Sequence, residues 1–398
     1  GVLDVKGDYR IQSRTEKEDG TYSYGYSTGY LTMTNEADKV KIGGSFVTDS
    51  SVNHSGKLTA GTMEIGGDFT QSSSKSSYNF AASGSHKVTF TSDKKHVVSV
   101  SSSNSYFNKL DITGAEIELK YDTYLKNELI GENGVITGKT IVICNNAKVP
   151  SVINGNVEIY GNYTLAKDVQ IKGSLYLHGS QFNLSGYTLT VDGNTTSYES
   201  TINLNKGTYN SNGDFTIGRY SRLNIVNPEE TLNVQGKFSF SNPYDYNSQI
   251  TSGKINIKGN CIIDSGYFRP SGENEIIFSG EKKQEVKVTN TSSYLNKIVI
   301  DNKSEEGVVF LTACEINEIS NPDNNKVTFY GGGKIGKTLE ANEEIEGDYC
   351  LAAGVLDLNG KTLTINGNLI QSGGEIVING GVLDVKGDYR IQSRTEKE

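Results

Sequence analysis

Tryptophan is absent, proline occurs only 5 times, and no run of 18 apolar residues is present. The last absence excludes a membrane-spanning helix, so no membrane insertion is expected. No signal peptide is in view either, because Gly1 already lies in mid-pattern; any export signal is expected outside this stretch. A basic excess is also missing. With 38 Lys and Arg against 47 Asp and Glu, the net charge of -9 leaves no surface able to neutralise many phosphates, and nucleic acid is not an expected partner. Hydrophobic residues make up only 35%, thin for a thick globular core, yet Ile, Val, Leu, Phe and 23 Tyr are too many for a disordered chain. A narrow core extended along a repetitive fold satisfies both facts.

Cysteine and histidine are scarce, at four each. Cys144, Cys261, Cys314 and Cys350 form no CxxC pair and no Cys/His cluster, so they read as small buried apolar residues, with disulfides between stacked layers as the alternative. His54, His86, His96 and His178 lie beside Ser, Lys or Gly in different repeats and read as surface residues, since nothing supplies a partner at ligand or triad spacing. The calcium-binding nonapeptide GGxGxDxUx is absent. No metal and no cofactor is implied.

What the chain has is glycine, 45 in all, at regular intervals. GDYCLAAGVLDLNGKTLTIN (347–366) is followed by GNLIQSGGEIVINGGVLDVK (367–386), then GDYRIQS; each full line holds 20 residues. GSLYLHGSQFNLSGYTLTVD (173–192) opens a similar series, with lines of 23 starting at Gly213 and Gly236 and another opening at Gly259. Inside each line, alternating segments such as LTING and EIVING are cut every four to six residues by Gly, Asn, Asp or Ser. Three short strands per line, a period of about 20 and no helical periodicity predict an all-β solenoid with one line per coil. Without a hexapeptide pattern and with coils of 20–23 residues, a right-handed parallel β-helix is favoured. Its expected core includes Val355, Leu356, Leu358, Leu363, Ile365, Leu369, Ile376, Ile378, Leu383 and Val385, with Gly and Asn at left-handed corners. Coils over 14–150 are irregular or decorated and those over 151–380 regular. At ~4.8 Å per layer, 380 residues would stack on the order of 80 Å.

Candidate catalytic motifs compete with this pattern. GGGKIGKT (331–338) satisfies the phosphate-loop spacing GxxxxGK[ST], whose mechanism needs a helix starting at the lysine. GKT recurs in GKTIVI (138–143) and GKTLTI (360–365) without upstream glycines, so it reads as the start of a strand. Polysaccharide-cleaving β-helices need clustered carboxylates and a placed arginine. The chain resembles pectate-lyase-type β-helices in fold pattern alone: RxPxxR is missing, Arg269-Pro270 has the wrong spacing, and NTD, DD, GHG and RIK are absent. Asp8, Asp348 and Asp357 fall near turns, where carboxylates cap backbone amides. The chain is read as a non-enzyme.

Gly7 and Gly44 stand 37 positions apart, and the excess carries EKEDGTYSYGYSTGY. Its D-G turn between alternating tyrosines predicts a hairpin-like excursion near residues 14–30. Tyr22, Tyr24, Tyr26 and Tyr30 are the candidate interaction surface, suited to sugar rings or to a neighbouring filament; the alternative is that they fold back on the flank of their own solenoid.

The segment GVLDVKGDYRIQSRTEKE stands at residues 1–18 and again, unchanged, at 381–398. The 20-residue pattern runs into the second copy without a break, which reads 1–380 as one repeat unit and 381–398 as the start of the next identical unit. Gly381, Val382, Leu383, Val385, Gly387 and Tyr389 mark the unit junction. The expected partners are identical units, covalently in tandem or end to end as a homopolymer. GGDFTQ (66–71), NFAASGSHKVTF (79–90) and FNKLDI (107–112) resemble repeat regions of large secreted surface proteins of Gram-positive anaerobic bacteria. That resemblance implies a structural or adhesive protein, extracellular or at the cell surface, and offers no catalytic residues. The leading expectation is a component of an extracellular filament. An adhesin shaft binding surface glycans is the alternative, and a polysaccharide-active β-helix enzyme the second.

Overall fold

Short inward-outward strands cut by glycine corners cannot bury an apolar face alone; stacked, they do so one coil at a time. The computed structural model of the chain describes residues 1–290, 292–312, 314–323, 325–329, 334–345 and 347–391. It is an all-β solenoid of about 16 turns, without a helix among the described residues, in which parallel strands stack. Two compact units are distinguished, Gly1–Ser180 with Val191–Gly193, and Gln181–Thr190 with Asn194–Glu398.

In the first unit Val2–Val5 pairs with Lys39–Ile42, then come Thr62–Ile65, Lys87–Phe90 and Phe107–Asp111, each parallel to the last. A second face is built from Tyr9–Ile11, Phe46–Thr48, Phe69–Gln71, Lys95–Val100, Glu116–Leu119 and Val135–Gly138. In the second unit Thr208–Ser211, Thr231–Val234, Lys254–Ile257 and Glu275–Phe278 form one ladder, and Phe215–Ile217, Phe238–Phe240 and Cys261–Ile263 another. Its last coils carry Thr362–Ile365 and Val382–Val385.

The register steps by 20 residues from Thr362 to Val382 and by 23 from Thr208 to Thr231, as the glycine spacing predicts. Elsewhere the expected 20–23 is corrected to a step of 16 from Ile141 to Val157, while the step of 37 from Val2 to Lys39 matches the Gly7-to-Gly44 spacing. Excess residues leave the stack as loops, which cost little as they lengthen, while paired strands hold the register.

Inward residues stack on inward residues. Phe46 and Phe69 have ring centroids 5.3 Å apart, and Phe69 and Phe107 4.9 Å; in the second unit Phe215 lies on Phe238 at 6.1 Å with planes only 5° apart. Each ring, fully buried, contributes about 1.5–3 kcal/mol. Of the expected core residues, Leu356, Leu358, Leu363, Ile365 and Leu369 are buried, and Ile376, Leu383 and Val385 pack against them half-covered. Two expectations are corrected. Val355 is 45% exposed, because alternation cannot turn both it and Leu356 inward. Ile378 continues the column of Leu358 but is 46% exposed, with no described residue beyond it along the stack.

The corners are polar and tightly built. Asn359-Gly360 and Asn379-Gly380 take positive φ at both positions, the left-handed pair expected there. At another corner glycine is dictated by close approach: a Cβ on Gly387 would lie 2.7 Å from the carbonyl oxygen of Gly367, and one on Gly367 2.3 Å from the carbonyl carbon of Gly347. Outward asparagines form ladders in the second unit, Asn233 Nδ2 donating to Asn210 Oδ1 at 2.8 Å and Asn256 Nδ2 to Asn233 Oδ1 at 2.6 Å. A parallel ladder runs through Asn183, Asn203 and Asn224.

The surface assignment of the histidines is overturned for three of the four. His54, His86 and His96 are buried, whereas His178 is exposed. His86 shares the inward parity of Val88 and Phe90, and His96 that of Val98 and Val100, which outweighs their polar neighbours in sequence. All four cysteines are buried, the apolar role expected of them.

Candidate functional site

The junction segment is seen twice in different surroundings. In the first copy, Val2–Val5 and Tyr9–Ile11 pair with the coil that follows them: Leu3 lies opposite Val40, Val5 opposite Ile42 and Tyr9 opposite Phe46. In the second copy the same residues pair with the coil before them: Leu383 opposite Leu363, Val385 opposite Ile365, Tyr389 opposite Leu369. Surface pairs repeat as well, Lys6 to Asp4 at 2.8 Å and Lys386 to Asp384 at 2.6 Å, Arg10 to Asp8 at 2.7 Å and Arg390 to Asp388 at 2.5 Å. Gly381 and Gly387 meet the preceding coil so closely that a Cβ would lie 2.4 Å from the Lys361 oxygen and 2.7 Å from that of Gly367, while Gly1 and Gly7 have open space there. Val382 and Tyr389 are exposed, and Leu383 and Val385 half-buried. The second copy's RTEKE lies outside the described residues.

The expected hairpin is present. Ser13–Glu16 and Tyr22–Gly25 pair antiparallel, with Arg14 opposite Tyr24 and Glu16 opposite Tyr22. Asp19 Oδ1 accepts the backbone N–H of Thr21 at 2.9 Å and its hydroxyl at 2.6 Å; these bonds hold the Asp19 carboxyl below the usual range, and Gly20 takes φ +76. Tyr22, Tyr24, Tyr26 and Tyr30 are all exposed, but each ring carries a cation: Arg14 over Tyr22 at 4.4 Å, Arg10 over Tyr24 at 5.5 Å, Lys75 over Tyr26 at 5.1 Å and Lys57 over Tyr30 at 4.4 Å. The four rings are thus tied to cations of their own chain.

Sequence reading missed a second tyrosine cluster. Tyr220 and Tyr244 stack at 4.6 Å with planes 16° apart, and Tyr246 stands edge-on to Tyr220 at 5.5 Å. Arg219 donates to the Tyr220 hydroxyl at 2.6 Å and to that of Tyr244 at 2.9 Å. The signal was there: Arg-Tyr at 219–220 and Tyr-Asp-Tyr at 244–246 are separated by about one coil.

Elsewhere, Glu158 lies half-buried beside His178, whose Nδ1 is 3.6 Å from its carboxylate. Burial holds the Glu158 carboxyl above its usual range, and His178 draws it back down. No group of three or more metal-binding side chains occurs among the described residues. Of GGGKIGKT, Lys334–Thr338 is a strand, not the helix a phosphate loop requires; Gly331–Gly333 lie outside the described residues. Asp8 and Asp348 cap corner amides, accepting from the N–H of Ser45 and of Asn368, both at 2.8 Å, and Asp357 caps Asn359 at 2.9 Å. The chain matches no protein-family model, no curated protein and no solved structure.

Proposed function

We propose that the chain is a structural segment of an extracellular filament, built from identical 380-residue solenoid units continued in tandem or end to end. One observation carries this reading: the repeated segment pairs through opposite edges in its two copies, with the same residues turned inward. If one copy is laid on the other, the columns Leu363–Leu383–Val40, Ile365–Val385–Ile42 and Leu369–Tyr389–Phe46 join in register. The glycine requirement supports it too, because Gly387 explains in steric terms why position 7 of the same sequence carries no side chain.

In such a filament each unit supplies the ladder partners of the next, and stiffness comes from unbroken backbone hydrogen bonding and a continuous core. An extracellular setting follows from the resemblance to secreted surface-protein repeats. Fibre diffraction from aligned assemblies is the test. A meridional reflection near 4.8 Å is expected from strands stacked along the axis; its absence, with particles that remain single units at all concentrations, would contradict the proposal.

A further inference from the structure

The cluster around Tyr220 is built as a recess. Glu199, Tyr220 and Tyr246 line a shallow, open hollow of about 510 Å³. Its walls differ in chemistry: the Tyr220 and Tyr246 rings meet at 86°, and Glu199 completes the lining. The rings are held in place before anything binds. Asn242, buried in the corner, accepts the backbone N–H of Tyr220 at 3.1 Å and that of Tyr244 at 3.2 Å through one oxygen, while its amide donates to the Ser221 carbonyl at 2.8 Å. Arg219 ties the Tyr220 and Tyr244 hydroxyls together from one side, and Arg222 sits 5.3 Å from the Tyr246 ring centre.

The backbone at this corner is also unusual. Glu199 and Tyr220 adopt φ +52 and +60, a left-handed conformation that costs residues of this kind free energy and persists only where the surroundings impose it. Both residues line the recess. The Glu199 N–H bonds to the Arg219 carbonyl at 3.0 Å, so the carboxylate-bearing turn is fixed to the ring-bearing one.

We propose that this recess is a binding site for a neutral pyranose oligosaccharide. A sugar ring offers an apolar C–H face and a rim of hydroxyls, matching an aromatic wall and a carboxylate that accepts from two hydroxyls at once. Arg219 and Arg222 beside the rings offset Glu199 in the lining, so discrimination against phosphates and uronic acids rests on the net charge of -9 of the chain as a whole. Rings already locked by Asn242 and Arg219 lose little freedom on binding. Asn242 is a positioning residue; Tyr246, Tyr220 and Glu199 make the contacts.

The test uses the full chain with cellotetraose, the N-acetylglucosamine tetramer and tetragalacturonate, followed by saturation-transfer NMR and titration calorimetry. Ring protons of at least one neutral tetrasaccharide are expected to receive saturation. Tyr246→Ala is expected to weaken binding at least tenfold with an unchanged circular dichroism spectrum, Tyr246→Phe to stay within threefold of the parent chain, and Tyr24→Ala in the hairpin to have no effect. The proposal is overturned if neither neutral sugar binds, if tetragalacturonate binds best, or if Tyr246→Ala binds as the parent does. Filament assembly is independent of these outcomes, since neither Tyr246 nor Glu199 belongs to the junction.

Discussion

Asn368 accepts the backbone N–H of Asp388 through its Oδ1 at 2.9 Å, and Asp8, the same residue as Asp388 in the repeated segment, accepts the N–H of Ser45 at 2.8 Å. A side-chain oxygen at each corner therefore satisfies an amide of the next coil, and the copy at 388 carries an oxygen of the kind that Asp8 uses. The column continues through Ser45, whose Oγ accepts the N–H of Asp68 at 3.0 Å. Removing the oxygen from an interior position should expose this dependence. Asn368→Ala is expected to destabilise its coil by about 0.5–2 kcal/mol, as loss of a capping side chain does, read as faster native-state hydrogen exchange at Asp388 and its neighbours. Unchanged exchange there would contradict the role given to the corner oxygen.

Corner glycines set the layer spacing. In Gly367→Ala the new methyl would sit 2.3 Å from the Gly347 carbonyl carbon, which is backbone and cannot step aside. A loss of about 1–3 kcal/mol is expected from this overpacking, measured by denaturant unfolding. Gly20→Asn, at a positive-φ turn with open space around it, is expected to leave the same midpoint nearly unchanged.

The outward asparagines should behave as a ladder. Asn233 both donates to Asn210 and accepts from Asn256, so Asn233→Ala breaks two bonds and leaves an acceptor on Asn210 and a donor on Asn256 unpaired. Asn256→Ala breaks only the second. Accordingly the interior variant is expected to lose about 1–3 kcal/mol and the other roughly half as much; equal losses would show that the asparagines act singly.

Acid should weaken the first unit through its buried histidines. Burial pushes His86 down from 6.5 to about 4, and His54 likewise with help from Lys57; neither ring nitrogen of either residue has a hydrogen-bond partner. The folded state therefore binds fewer protons than the unfolded state at intermediate pH. Stability is full above about pH 6.5 and falls as pH drops through the window from 6.5 to 4. At pH 5.5 the loss for His86 comes to about 1–2 kcal/mol. His86→Leu is expected to flatten the dependence of the unfolding midpoint between pH 7.5 and 5.5 by that amount; an unchanged slope would contradict a buried neutral imidazole.

Much of this architecture was legible in the sequence because its signals are local. Alternation of Leu363 and Ile365 with threonines, and Asn-Gly pairs at 359–360 and 379–380, dictate strand and corner without reference to distant residues. Asp19-Gly20 between tyrosines likewise specified the hairpin. What escaped was set by stacking. His86 and His96 look polar beside Ser, Lys and Gly, yet their parity with Val88 and Val98 turns them inward. Val355 looks apolar, yet stands on the wrong side of Leu356. The recess at Tyr220 depends on Asn242 reaching one coil back, a relation that no local pattern encodes. The coil length of 16 escaped for the same reason, since the ladder fixes the register there.

Electron cryomicroscopy of a polypeptide carrying two consecutive copies of residues 1–380 tests the filament most directly. The account predicts a single continuous stack across the joint, with Leu383 paired to Leu363 on one side and to the second copy's Val40 on the other. Two separately folded solenoids, joined by a flexible segment and lying at variable angles, would contradict it.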